Sequence, residues 1–346
     1  MRILFVTQMW PGPEDPDLGS FLVPIHDELV GLGNEVEVVA INHRRPARAK
    51  YARLCRESVA AARRSRPDVV FTHMLFPAGI AGTLAALAGR APHVVMAHGQ
   101  DVANLGRVPG VTAATRWVVR RSAAIICNSG WLRERLAARI PAAREKSSIA
   151  DCGIDLGSFA PLDAAGAREE IGWDGDGPAF ACVGSLIERK NVIRLAEAFA
   201  TLPTGRLAFV GDGPLRPELE GRPGVTVTGR IPQSQVPRWI AAADVLCQPS
   251  LIEPFGQATL EGLAMERSVV ATRIGGPPEF VPESAGVLVD PEDAGALAAA
   301  LERAAAMPNP NPNSREAAAA HDVRVQVGRM AAVLERAVAD GNQRHQ

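Results

Sequence analysis

Short runs of β-branched and apolar residues alternate with longer amphipathic patterns along this chain of 346 residues. The alternation predicts strands joined by helices, and apolar strands of this kind pair in parallel through right-handed crossovers. The alternation occurs in two successive series, the first ending before residue 158 and the second beginning after it. The pattern therefore excludes an all-helical or all-β chain and predicts an α/β fold with two parallel sheets.

Each series predicts one Rossmann-like, doubly wound domain, and the two domains are expected to face each other across a cleft. We place an N-terminal domain at 1–158 and a C-terminal domain at 159–321. A final helix at 322–346 is expected to pack back on the N-terminal domain. Residues 159–178 are rich in Gly, Pro and Asp, which indicates a linker. The predicted strands lie at 3–7, 36–41, 69–72, 94–97 and 124–127, and then at 179–183, 207–210, 225–228, 245–248, 269–271 and 286–289.

One segment raises the question of a membrane span, because residues 69–89 contain no Lys, Arg, Asp or Glu. A spanning helix needs roughly 20 strongly apolar residues, whereas this segment contains His73, Pro77 and three glycines. We therefore predict a buried strand followed by a helix of small residues. The five cysteines form no C-x-x-C pair, which fits a reduced compartment, and no signal peptide is evident. The expected location is the cytoplasm.

Charge is distributed unevenly along the chain, although the net charge is −1 and predicts no nucleic-acid partner. Residues 1–158 contain 20 Lys and Arg against 14 Asp and Glu. Much of this excess lies within residues 44–66, which contain Glu57 as the single acid. The segment is either the solvated face of a scaffold helix or a docking surface for an anionic acceptor or an acidic membrane surface. Its basic residues are Arg44, Arg45, Arg48, Lys50, Arg53, Arg56, Arg63, Arg64 and Arg66.

Two loops of the N-terminal domain follow strand ends, where doubly wound sheets bind ligands. After the first strand, Gly19 permits close backbone approach and Ser20 is expected to cap the next helix. No G-x-G-x-x-G stands here, which removes the main support for a nicotinamide cofactor. After the fourth strand comes His98-Gly99-Gln100-Asp101, in which Asp101 either orients the His98 ring or caps the turn.

The C-terminal domain contains two comparable segments. Lys190 stands at a strand-to-helix junction and is one of three lysines beside 34 arginines, so it is either a ligand for a diphosphate or an ordinary surface lysine. Glu253 and Glu261 flank a predicted helix start at Pro254-Phe255-Gly256. At ~1.5 Å per helical residue they lie on the order of 12 Å apart, the span from a sugar across a diphosphate to a ribose. Carboxylates accept hydrogen bonds from vicinal hydroxyls, and a helix start favours an anion between them.

Together these segments resemble the retaining glycosyltransferases of family 4, which have the GT-B fold. EPFGQATLEGLAM matches the signature E-x-F-G-x-x-x-x-E, and VVATRIGGPPEFV resembles its continuation. HGQD, NSGWLRERL and CGIDLGSF match further elements of the family. VGSLIERKN resembles its phosphate-binding loop, with Ser185 where the family usually carries Arg.

The resemblance implies roles by position. In the C-terminal, donor-binding domain, Lys190 would hold the diphosphate with the help of Arg189. Glu253 would bind the transferred sugar, and Glu261 would bind the ribose. His98 would contact the transferred sugar from the N-terminal, acceptor-binding domain. The residues implied as catalytic are His98, Glu253 and Lys190, and those implied in substrate binding are Gly19, Asp101, Arg189, Ile231, Phe255, Gly256, Gln257 and Glu261.

The resemblance also implies the reaction. A sugar would move from a UDP- or GDP-linked donor to a hydroxyl acceptor with retention, through a front-face internal-return step. No cofactor is expected, and no metal, because no D-x-D motif lies at a matching loop. Two alternatives stay open, a nucleotide-sugar epimerase on the same fold and a non-catalytic subunit that binds a nucleotide sugar.

Overall fold

The computed structural model describes residues 1–47 and 49–343. They form two compact units, one made of Met1–Gly153 with the C-terminal segment from Val323, the other of Ile154–Asp322. Each unit contains a six-stranded parallel sheet with helices packed on it. The predicted α/β class with two Rossmann-like domains is confirmed.

The sheet of the first unit has the strand order β2-β1-β3-β4-β5-β6. All residues of β3 and β4 are buried, as expected for parallel strands with both faces covered. The short edge strand β6 escaped prediction because its three residues include two serines. The strands are β1 Arg2–Thr7, β2 Glu35–Ala40, β3 Val69–His73, β4 His93–Ala97, β5 Ala124–Cys127 and β6 Ser147–Ile149.

The helices of this unit follow the strands in alternation. The charge-free segment 69–89 forms strand β3 and a helix of small residues, as predicted. Among the described residues, no helix combines the length and apolar composition that crossing a membrane requires. The helices are α1 Leu22–Gly31, α2 Ala49–Ser65, α3 Ala78–Gly89, α4 Gln100–Ala103, α5 Val111–Arg121 and α6 Gly130–Arg139.

The second unit repeats the architecture with the strand order β12-β11-β10-β7-β8-β9. The carboxyl ends of its strands meet at one edge, where the loops after β7, β10 and β11 lie side by side. Its helices are α7 Ala164–Ile171, α8 Val192–Phe199, α9 Arg216–Leu219, α10 Val236–Ala242, α11 Gln257–Ala264, α12 Ala294–Ala305 and α13 Pro312–Ala319. Its strands are β7 Ala179–Val183, β8 Arg206–Val210, β9 Val225–Gly229, β10 Val245–Gln248, β11 Ser268–Thr272 and β12 Gly286–Val289.

The predicted linker at 159–178 is wrong over much of its length, because it contains helix α7. Asp163 caps this helix by accepting a hydrogen bond from the Gly166 amide at 2.7 Å. Phe159 and Trp173, on either side of the helix, are buried in the core of the second unit. The segment therefore belongs to the fold, and its Gly, Pro and Asp residues serve in caps and turns.

The chain leaves the first unit earlier and re-enters it later than the predicted boundaries at 158 and 321. The Ile154 amide donates to the His321 carbonyl at 2.8 Å, and Ile154 forms a parallel bridge with Asp322. These contacts fix Ile154 to the end of the second unit, to which residues 154–158 belong. Helix α14, Val323–Gln343, then packs against the core of the first unit. Residues 344–346, expected to fray with the end of this helix, lie outside the described residues.

Helix α14 should therefore contribute to the stability of the first unit. Leu334 is fully buried there, so Leu334→Ala should lower the free energy of unfolding by about 2–5 kcal/mol, through lost burial and the cavity left behind. Val325→Ala is the matched control on the same helix, because Val325 is 45% exposed and its truncation should change this free energy by less than about 0.5 kcal/mol. Urea unfolding followed by circular dichroism measures both. Equal effects of the two substitutions would contradict this packing of α14.

Candidate active site

Lys190 lies at the junction between strand β7 and helix α8. It ends a 3-10 turn, Glu188–Lys190, and the next residue, Asn191, has a left-handed backbone with φ of 59°. The side-chain amide of Asn191 donates hydrogen bonds from Nδ2 to the carbonyl oxygens of Pro249 (3.1 Å) and Pro291 (2.7 Å). These bonds anchor the junction to two neighbouring loops and fix the backbone that carries Lys190.

Lys190 and Glu253 form a largely buried ion pair. Lys190 Nζ donates to Glu253 Oε2 at 2.6 Å, and their side chains are only 16% and 11% exposed. The same oxygen accepts a 3.0 Å hydrogen bond from Ser250 Oγ and lies 3.7 Å from Arg189 Nη1. Burial by itself would raise the pKa of Glu253, but Lys190, Arg189 and Ser250 outweigh it and hold the pKa below its ordinary value. Glu253 is therefore ionised at neutral pH.

The backbone of Glu253 is held by the loop after strand β11. Its amide donates to the Ile274 carbonyl at 3.1 Å, and its own carbonyl accepts from the Gly276 amide at 2.9 Å. Gly275 has φ of 133°, and a Cβ placed there would lie 1.8 Å from the Glu253 carbonyl oxygen. Only glycine allows this approach, which explains Gly275 in the RIGGPPEF segment.

Helix α11 begins directly after this point, at Gln257, with Gly256 as its N-terminal cap residue. Gly256 and Gln257 thus stand at the positive end of the helix dipole, as the sequence predicted for an anion site. The Phe255 side chain, expected to contact substrate, is only 6% exposed and its ring packs against Phe280, with centroids 5.2 Å apart. The Phe255 ring belongs to the core, and its buried packing fixes the entry of the chain into α11.

Glu261 lies in the second turn of α11 and is 8% exposed. Its carboxyl group has no hydrogen-bond partner within residues 1–47 and 49–343. Burial raises its pKa to about 8, against the opposing charge of Lys190. A buried carboxyl group without a partner is costly in the fold, and a ligand that donates hydrogen bonds would relieve the cost.

Three other residues that the sequence assigns to the donor site also lie in the second unit. Arg189 donates from Nη1 to the Ile252 carbonyl at 3.1 Å, so it is tied to the loop that leads into Glu253. Ser185 is exposed in the loop after β7. Ile231 follows strand β9, and its half-buried side chain packs on the core of the second unit.

Gly19, in the first unit, lies in the loop that joins strand β1 to helix α1. Its φ is 67°, and a Cβ there would lie 2.6 Å from the Met9 carbonyl oxygen, so the loop folds back on itself at this glycine. The predicted cap by Ser20 is wrong. Phe21 occupies the cap position, and no side chain caps the helix, because the turn from Gly19 already supplies a carbonyl to the Leu22 amide at 2.9 Å.

Asp101 caps the turn after strand β4. It is fully buried, and its carboxylate accepts from the backbone amides of Gly99 (2.8 Å), Val102 (3.0 Å) and Leu75 (2.8 Å). Of the two predicted alternatives, the structure shows the cap. With both oxygens used by the backbone, Asp101 shapes the loop rather than contacting a ligand.

The His98 ring has a protein neighbour at each nitrogen. Its Nε2 lies 3.1 Å from His73 Nδ1, and its Nδ1 lies 3.7 Å from Cys152 Sγ. Burial lowers the pKa of His98 to about 4, with the Asp101 charge opposing, so the ring is neutral at physiological pH. His73 and Cys152 were not predicted from the sequence as neighbours of this ring. The position of His73 at the carboxyl end of β3 was the available signal, since His98 follows β4 in the same way.

The basic segment 44–66 is partly neutralised by acids. Arg44 binds Asp15 and Asp17 at 2.8 and 2.9 Å, Arg45 pairs with Glu14, Arg53 with Glu57 at 2.7 Å, and Arg64 with Glu37. Arg56 and Arg63, one heptad apart on the exposed face of α2, have no ion pair within the described residues. Arg48 lies outside the described residues. The positive surface is therefore smaller than the sequence predicted.

Within the part of the chain that the structure describes, no three His, Cys, Asp or Glu residues are grouped as a metal ion would require.

Two family models match the chain, one to each unit. A model described as Glycosyltransferase Family 4 matches residues 4–158, and one described as Glycosyl transferases group 1 matches residues 177–306. Among curated relatives, TuaC of Bacillus subtilis, described as a glycosyltransferase of teichuronic acid biosynthesis, is 26% identical over 88% of this chain and 89% of its own. The alpha-maltose-1-phosphate synthase of Mycolicibacterium smegmatis is 29% identical over 68% of each chain.

Solved structures share the fold. Sucrose-phosphate synthase from Thermosynechococcus elongatus aligns with a TM-score of 0.79 at 20% identity, covering 98% of this chain and 99% of the other. HepE from Anabaena, solved in complex with UDP, aligns with a TM-score of 0.74 at 21% identity, covering 97% and 100%. The family models, the relatives and the architecture together show that this chain is a glycosyltransferase with the GT-B fold.

Proposed function

We propose that the chain is a retaining family 4 glycosyltransferase that moves a sugar from a UDP- or GDP-linked donor to a hydroxyl acceptor. The observation that carries the proposal is the buried Lys190–Glu253 ion pair beside the unpartnered carboxyl group of Glu261, at the start of α11. HepE, which shares the fold, has been solved with UDP and with UDP-glucose. The matched models and relatives support transfer and give no support to an epimerase.

In this proposal the donor binds along the line from Glu253 to Glu261. Lys190 Nζ turns from Glu253 towards the diphosphate, and Glu253 then accepts hydrogen bonds from hydroxyls of the transferred sugar. Glu261 accepts from the ribose hydroxyls, and main chain at Ile231 contacts the base. In the family that the chain resembles, the positions of Gly19 and His98 serve the acceptor and the transferred sugar, and we propose the same roles for them here.

The chemical step needs positive charge where the diphosphate leaves. The C1–O bond to the phosphate breaks, the acceptor oxygen bonds to C1 on the same face, and the departing phosphate oxygen takes the hydroxyl proton. Lys190, Arg189 and the start of α11 stabilise the charge that develops on the phosphate. We propose that these groups suffice without a metal ion.

A donor and acceptor screen tests the function. Thermal shifts with UDP-, GDP- and ADP-sugars identify the donor, because a ligand that binds the folded chain raises its stability. Incubation of that donor with a panel of hydroxyl acceptors then decides the activity. Transfer with retained anomeric configuration supports the proposal, inversion contradicts the mechanism, and binding without transfer or hydrolysis would indicate a non-catalytic subunit.

Lys190→Ala should reduce transfer more than tenfold, because a charge-assisted contact to the leaving phosphate contributes roughly 1.5–3 kcal/mol. Arg303→Ala is the control, since Arg303 is exposed on α12 in the same unit and its loss changes net charge equally. Initial rates at saturating acceptor measure both variants. Turnover of Lys190→Ala at the wild-type rate would exclude the phosphate contact.

Glu261 should couple donor binding to pH. Its pKa of about 8 leaves the group largely protonated at neutral pH, and ribose hydroxyls donate to the ionised form. Affinity for the donor sugar should therefore increase by up to about tenfold per unit as pH rises towards 8, and then level off. Calorimetric titration measures this, and Glu261→Gln should bind weakly with no such rise. Glu253→Gln should retain nucleotide affinity and lose turnover.

The protonation of Glu261 should also affect the free energy of unfolding of the chain without ligand. The folded pKa exceeds the ordinary value of 4.5, so the stability that this proton contributes is fully present below pH 4.5 and is lost as pH rises through about 8. The free energy of unfolding should therefore fall across that window by more in the wild type than in Glu261→Gln. Identical pH profiles would contradict the assignment of a protonated Glu261.

We further propose that the exposed face of α2 contacts anionic membrane surfaces through Arg56 and Arg63. A basic residue near an acidic lipid surface contributes about 1 kcal/mol and is screened by salt. The protein should sediment with phosphatidylglycerol vesicles at low salt and be released at high salt. The double variant Arg56→Gln/Arg63→Gln should lose this binding, and Arg53→Gln/Arg64→Gln, which removes arginines already paired with acids, should lose less. Equal recovery with phosphatidylcholine vesicles would leave α2 a solvated helix.

A further inference from the structure

His73 is a fully buried histidine that ends strand β3. Its ring stacks on Phe5, with centroids 4.3 Å apart and an interplanar angle of 27°, and packs against Phe71 at 4.4 Å. Burial and the nearby His98 lower its pKa well below the ordinary value, so the ring is neutral. A buried imidazole without a hydrogen bond to the backbone is costly, and only one nitrogen of this ring has a hydrogen-bond partner.

That partner is His98. His73 Nδ1 lies 3.1 Å from His98 Nε2, whereas His73 Nε2 is buried with no hydrogen-bond partner within the described residues. A buried N–H without an acceptor is rare in proteins, so the proton of the His73 ring resides on Nδ1. His73 Nδ1–H therefore donates to His98 Nε2, which must be the unprotonated nitrogen of that ring.

The other nitrogen of His98 then carries its proton. Nδ1–H faces Cys152 Sγ at 3.7 Å, and burial raises the pKa of the Cys152 thiol well above its ordinary value, so this sulfur is a neutral, weak acceptor. A second contact fixes the same two loops, since the Leu75 amide after β3 donates to Asp101 of the His98 turn at 2.8 Å. The His98 lone pair is thus used inside the protein, and its Nδ1–H meets only a weak acceptor, the Cys152 sulfur.

We propose that His73 is a positioning residue, which holds the His98 imidazole in one orientation and in the Nδ1–H tautomer so that it offers a sugar oxygen a hydrogen-bond donor and no base. The catalytic consequence rests on the proposed function, in which His98 contacts the transferred sugar. A His98 ring that is not a base agrees with the proposed step, in which the leaving phosphate, and not a histidine, takes the proton of the acceptor hydroxyl. A histidine pair of this kind fixes a tautomer as carboxylates and carbonyls do elsewhere.

Nitrogen NMR of the full chain labelled with ¹⁵N-histidine tests the tautomer directly. Two-bond ¹H–¹⁵N correlations distinguish a protonated Nδ1 from a protonated Nε2, and His98→Gln identifies the His98 signals among the seven histidines. We expect His98 to be protonated on Nδ1. His73→Phe, which keeps the ring stack and removes the donor, should shift His98 towards the Nε2–H form. His73→Asn, whose amide can donate from the position of Nδ1, should retain the Nδ1–H form.

Kinetics distinguish positioning from a merely structural role. His73→Phe should lower kcat about tenfold at nearly unchanged donor KM, and His73→Asn should recover most of it, because one buried hydrogen bond contributes up to about a factor of ten. Equal loss in both variants would reduce His73 to a packing residue. A wild-type His98 protonated on Nε2, or a tautomer unchanged in His73→Phe, overturns the proposal. The NMR result stands even where no donor is found, so failure of the proposed function is seen separately.

Discussion

The buried ion pair between Lys190 and Glu253 is the interaction around which the second unit arranges its candidate site. Removing one partner of a buried pair typically costs about 3–5 kcal/mol, because the other charge is left uncompensated. The fold accordingly fixes both sides. Asn191 anchors the lysine to two loops, and the Gly275 loop holds the glutamate backbone. In the proposed function, a diphosphate that takes Lys190 would leave Glu253 in need of new donors, and sugar hydroxyls would supply them, so the pair would couple the two halves of donor recognition.

In the first unit, hydrogen bonds to backbone amides and contacts between side chains fix the loops. Asp101 gives both carboxylate oxygens to backbone amides, and the His98 ring is held through its contacts with His73 and Cys152. These contacts fix the geometry of the two loops that follow β3 and β4.

Periodicity predicted the strands because parallel strands are buried on both faces and read as continuous apolar runs. The positions of Lys190, Glu253 and His98 followed, since each stands at a strand end or helix start. The linker prediction failed at helix α7 because the Gly, Pro and Asp residues of 159–178 resemble loop composition, whereas Phe159 and Trp173 are buried in the core on either side of the helix. The pairing of Arg44 with Asp15 and Asp17, and of His73 with His98, joins residues that are 25 to 29 positions apart, which no local pattern records.

A crystal structure of the chain with its nucleotide-sugar donor, or with the matching nucleoside diphosphate, tests the central claim most directly. The account predicts Lys190 Nζ within hydrogen-bond distance of a phosphate oxygen, at about 2.7–2.9 Å for a charge-assisted contact. It also predicts the ribose hydroxyls on the Glu261 carboxylate and the diphosphate at the start of α11. A nucleotide bound elsewhere, with Lys190 still paired to Glu253 alone and Glu261 still without a partner, would contradict it.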